Sequence, residues 1–81
     1  MQTFNLTGEY IQVAAPGAVV IQAKGGGGVI VRVDAAQPAP GDEGFELRPE
    51  NENIFASEVA VPVWARSDSS SARVVVMQDG A

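Results

Sequence analysis

Nine glycines and five prolines punctuate this chain, no stretch of about 12 residues carries an uninterrupted amphipathic pattern, and shorter helices are marginal on their own. The turn-forming pairs and clusters fall between short apolar runs, as at Pro16-Gly17, Gly25-Gly26-Gly27-Gly28 and Pro38-Ala39-Pro40-Gly41. The apolar residues themselves favour strands. Valine and alanine dominate, leucine occurs only as Leu6 and Leu47, and β-branched side chains pack best on a pleated surface. An all-β fold follows, and 81 residues make one domain spanning the chain.

Period-two alternation and the turn residues place the strands. Runs are expected at Thr3–Leu6, Tyr10–Ala14, Val19–Lys24, Val29–Asp34, Phe45–Arg48, Val59–Arg66 and Ala72–Gln78, with Ile54-Phe55 adding a few paired residues. Two strands flanking a short glycine tract predict a hairpin across Gly25–Gly28. Residues 35–44, 49–53 and 67–71 read as loops or turns. Seven or eight short strands imply a small antiparallel β-sandwich or barrel.

The strand faces carry a second message. With Val59, Val61, Val63 and Ala65 inward, the opposite face holds Ala60, Pro62, Trp64 and Arg66. Val29, Val31 and Val33 leave Ile30 and Arg32 outside, and Val19 and Ile21 leave Val20. Val74, Val75 and Val76 make both faces of the last strand apolar. A sheet with one solvated face reads apolar-in and polar-out, so loops or another subunit must cover this mixed second face. Tryptophan and arginine are enriched at interface hot spots, which singles out Trp64 and Arg66, with Pro62, Ile30 and Val75, as interface residues.

Composition excludes much chemistry. There is no cysteine and no histidine, so disulfides, thiolate sites and the commonest general base are absent. Ser67, Ser69, Ser70 and Ser71 have no imidazole to activate them and read as a turn. Gly25–Gly28 follows Lys24 but lacks the Gly-Lys-Ser/Thr ending of a phosphate loop and leads into a strand. Asp42, Glu43, Glu46, Glu50 and Glu52 do not follow the alternating pattern of a calcium loop. No enzyme activity, cofactor or metal is expected. A net charge of −5 is a poor footprint for nucleic acid, and no apolar run approaches the ~20 residues of a membrane span. The first six residues lack the basic and apolar regions of a signal peptide, and Asn5-Leu6-Thr7 reads as a chance glycosylation sequon. Tyr10 or Trp64 could serve as a sugar-stacking platform, which keeps a small carbohydrate- or receptor-binding module as the alternative function.

Two segments, Gly44-Phe45-Glu46-Leu47-Arg48-Pro49-Glu50 and Val63-Trp64-Ala65-Arg66-Ser67 with the later Ser71-Ala72-Arg73-Val74-Val75-Val76, resemble short β-sandwich structural proteins of tailed-bacteriophage virions. The resemblance spans residues 10–78. It implies a non-enzymatic virion component, a capsid-decorating (cement) or tail-associated protein acting as a homo-oligomer, a trimer in the first instance. The implied partners are the major capsid protein or a tail protein, and a tail-fibre module is the implied form of the binding alternative.

Overall fold

The computed structural model describes residues 2–48, 54–68 and 71–78, and all regular structure in them is β. Eight strands run in chain order: β1 (Gln2–Leu6), β2 (Ile11–Ala14), β3 (Gly17–Gly26), β4 (Val29–Val33), β5 (Phe45–Leu47), β6 (Ile54–Val59), β7 (Val63–Ser67) and β8 (Ala72–Gln78). They form two four-stranded sheets, one ordered β1-β8-β3-β6 and the other β2-β7-β4-β5. Every pairing is antiparallel. The fold is a small β-sandwich, which bears out the all-β expectation and selects sandwich over barrel.

The pairing has a simple logic. β1 pairs with β8, β2 with β7, β3 with β6 and β4 with β5, as in one long hairpin bent between β4 and β5. Rolled up, that hairpin gains the β3–β8 and β4–β7 ladders, which close the two sheets. This is the strand order of an eight-stranded jelly roll. The thinnest dimension, 18 Å, matches two sheets about 10 Å apart with side chains on both outer faces.

Two local expectations fail for the same reason. Gly25–Gly28 does not close a hairpin, because β3 and β4 lie in different sheets. Gly25 and Gly26 instead continue β3 opposite Arg73 and Ala72, past a bulge between Ala23 and Gly25, and the chain then crosses over. Gly26 has φ +82°, and a Cβ there would come within 2.9 Å of both Ala72 Cα and Ser71 O. Only glycine fits. Val59–Arg66 is likewise not one strand: β6 ends at Val59 in the first sheet, residues 60–62 cross, and β7 begins at Val63 in the second.

The inward faces are otherwise as alternation requires. Leu6, Val13, Val19, Ile21, Ala23, Val29, Val31, Leu47, Val63, Ala65, Val74 and Val76 are buried in one cluster between the sheets. Ser67, read as the start of a turn, ends β7 and is fully buried, its N–H donating to Thr7 O at 2.7 Å. The turns expected at 49–53 and 69–70 lie outside the described residues.

Candidate interaction surface

Each sheet has one face turned away from the core, and the two faces differ. On the second sheet, the register places Gln12, Trp64 and Arg32 in one row and Arg66, Ile30 and Glu46 in the next. The segment 34–44 straps this face. Trp64 Nε1–H donates to Asp34 O at 3.0 Å, Tyr10 Oη–H to Asp42 O at 2.7 Å, and Arg32 Nη1–H to Glu43 O at 2.7 Å. Gln37 Nε2–H donates in return to Tyr10 O at 2.7 Å. Asp42 accepts the Ala39 N–H on its carboxylate at 3.0 Å and donates its own N–H to Ala39 O at 3.0 Å, closing a turn. Arg32 also pairs with Asp34 across 3.3 Å.

The strap explains several burials. Ile30 points outward yet is only 8% exposed, because the end of the loop lies on it: a Cβ on Gly44 would meet Val31 O and come within 3.1 Å of Ile30 Cγ2. Tyr10 is fully buried and makes no stacking platform, so that part of the sugar-binding expectation fails. The Arg66 guanidinium lies 5.4 Å from the Tyr10 ring centre, a cation–π contact, and its Nη1–H donates to Ser67 O at 3.0 Å. Pro62 sits at the crossing into β7, its carbonyl accepting the Asp34 N–H at 3.1 Å.

The outer face of the first sheet has no such strap among the described residues. Its register sets Thr3, Val75, Gln22 and Ile54 side by side, with Met77, Val20 and Ala56 in a neighbouring outward row. Ile54 is 56% exposed and Met77 46%, while Val20 and Val75 are half-buried. Phe45, on the margin between the sheets, is 64% exposed and packs on Phe55 of β6 with ring centres 5.5 Å apart. Shallow depressions line this surface, one bounded by Ala18, Val20, Ala56 and Met77.

The five interface candidates therefore do not share one surface. Trp64, Arg66, Pro62 and Ile30 belong to the strapped side, where contacts within the chain already occupy them, and Val75 belongs to the open apolar face. Ile54, Met77 and Phe45 were not singled out from the sequence. For Met77 the signal was present, since alternation from Val75 puts it on the same face. Phe45 does point inward, opposite Val31 in the register, but β5 is an edge strand and its ring is left uncovered. Among the described residues, no three Asp or Glu side chains gather into a group that could hold a metal ion. Comparison with protein-family models, with curated proteins and with solved structures found no match.

Proposed function

We propose that this chain is a non-enzymatic structural protein that works by covering other protein surfaces, as a homo-oligomeric virion component of the capsid-decorating type. The observation that supports this reading best is the outer face of the first sheet. Val20, Ile54, Ala56, Val75 and Met77 form an apolar strip there that the described residues leave partly open to water. Soluble monomers rarely keep such patches without a use. The virion setting, the major capsid or tail protein as partner and the threefold assembly rest on the resemblance of the Gly44–Glu50 and Val63–Val76 segments. The jelly-roll strand order accompanies both capsid and lectin roles, so it decides between neither.

The test is co-sedimentation with empty shells assembled from the major capsid proteins of tailed bacteriophages. Saturable pelleting that Met77→Asp abolishes without lowering the melting temperature supports the reading. A chain that pellets with no shell but gives a glycan-array signal would favour the carbohydrate-binding module instead.

A further inference from the structure

The four sheet edges are not equally protected. Exposed edges invite pairing with another chain, and proteins blunt them with short strands, bulges, charges or a covering segment. In the second sheet, β2 has four residues and a register shift between Gln12 and Ala14, while β5 has three and carries the Glu46–Arg48 ion pair. In the first sheet, β1 has five residues and no proline, charge or register shift against β8, but turns polar Thr3 and Asn5 outward, whereas β6 has six residues, no proline, no register shift against β3 and one charge, Glu58. No backbone hydrogen bond from another described segment reaches its outer edge. Ile54 and Phe45, two of the most exposed apolar side chains, lie along that same margin.

We propose that β6 pairs antiparallel with β6 of a second copy, joining two first sheets into one eight-stranded sheet about a two-fold axis at Ser57. The proposal rests on the homo-oligomer reading above and specifies its interface. A two-fold axis perpendicular to a sheet keeps each face on its own side, so inward residues must meet inward residues. With the axis at Ser57, Phe55 meets Val59 of the second copy on the core side, an aromatic opposite a β-branched residue. On the outer side Ala56 meets Glu58, so the acid opposes a small neutral residue rather than itself. Ser57 faces Ser57, and both are small enough for close approach. Phe45, packed on Phe55, gains cover from the incoming strand. The apolar strips of the two copies then run together across the joined sheet. Two-fold pairing makes a dimer, not the trimer that the resemblance implies.

The absence of cysteine makes a direct test available. Across an antiparallel pair, directly opposed Cα atoms lie about 4.5–5.5 Å apart, within the span of about 4.4–6.8 Å that a disulfide bridges. Ser57→Cys, at an exposed position, is expected to oxidise to a covalent dimer of twice 8.4 kDa on a non-reducing gel. Asn5→Cys, exposed on the opposite edge strand β1, is expected to stay monomeric on that gel. Ser57→Lys places two ammonium groups face to face and should weaken association by about fivefold without changing the melt of the dilute chain. A parent that is a dimer or trimer by light scattering while Ser57→Cys fails to cross-link overturns the β6 pairing and leaves the homo-oligomer reading standing. A parent that is monomeric at high micromolar concentration overturns both.

Discussion

Gly44→Ala is the substitution that most sharply tests how the strap is seated. Gly44 enters β5 directly over β4, and an added Cβ would overlap the Val31 carbonyl while pressing on Val31 C at 3.0 Å and Ile30 Cγ2 at 3.1 Å. The first two are backbone atoms of a central strand, so the strain cannot be relieved by turning a side chain. β5 must lift, which loosens the Val31–Phe45 and Ile30–Glu46 pairs and uncovers Ile30. Overpacking of this kind costs about 1–3 kcal/mol. In a domain of this size each kcal/mol shifts Tm by roughly 4–8 °C, so a fall of about 5–20 °C is expected. Thermal unfolding followed by the fluorescence of Trp64, the single tryptophan, reads it directly. Gly8 and Gly41 are internal controls: nothing lies within 4 Å of a Cβ at either position, and neither has a positive φ. If Gly44→Ala melts within about 2 °C of the parent, as Gly8→Ala and Gly41→Ala should, the close approach of residues 34–44 to β4 is wrong.

Other substitutions probe other contacts. Tyr10→Phe removes the donor to Asp42 O from a buried position, and a loss of about 0.5–1.5 kcal/mol by urea titration is expected. Gly26→Ala combines a left-handed φ with a clash against Ser71 and Ala72, so it should cost at least about 1–3 kcal/mol; a neutral result would place the crossing from β3 to β4 elsewhere. Ile21→Ala empties the centre of the longest strand and should cost about 2–5 kcal/mol. Trp64→Phe keeps an aromatic ring but loses the hydrogen bond to Asp34 O, so faster amide exchange in residues 34–44 is expected with little change in the β1–β8 ladder.

The strands were legible in the sequence because alternation and turn residues are local signals. Val19, Ile21, Val29, Val31, Val63 and Val74 all lie inside as their spacing requires. Which sheet a strand joins is not local, and there the reading stopped. Two β-runs around a glycine tract suit a hairpin or a crossing between sheets equally well. In the run 59–66, Pro62 was a usable warning, since proline cannot donate to a ladder and seldom sits within a paired strand. The outward apolar residues were visible too, but their cover was not. Nothing in residues 34–44 announces that their carbonyls will receive the Trp64, Tyr10 and Arg32 donors, because backbone acceptors carry no side-chain signature. Trp64 therefore stood out as an interface residue, whereas the uncovered apolar surface is built from Ile54, Met77, Val20 and Val75.

The mass of the protein in solution tests the central claim, that this chain acts by assembling. Sedimentation velocity from low to high micromolar concentration should show a species of at least twice 8.4 kDa whose share grows with concentration; Ser57→Lys should reduce it, whereas Met77→Asp, on the outer face of β8 away from the β6 edge, should leave it unchanged. A single 8.4 kDa species across the whole range, with a melting temperature independent of concentration, would contradict the account.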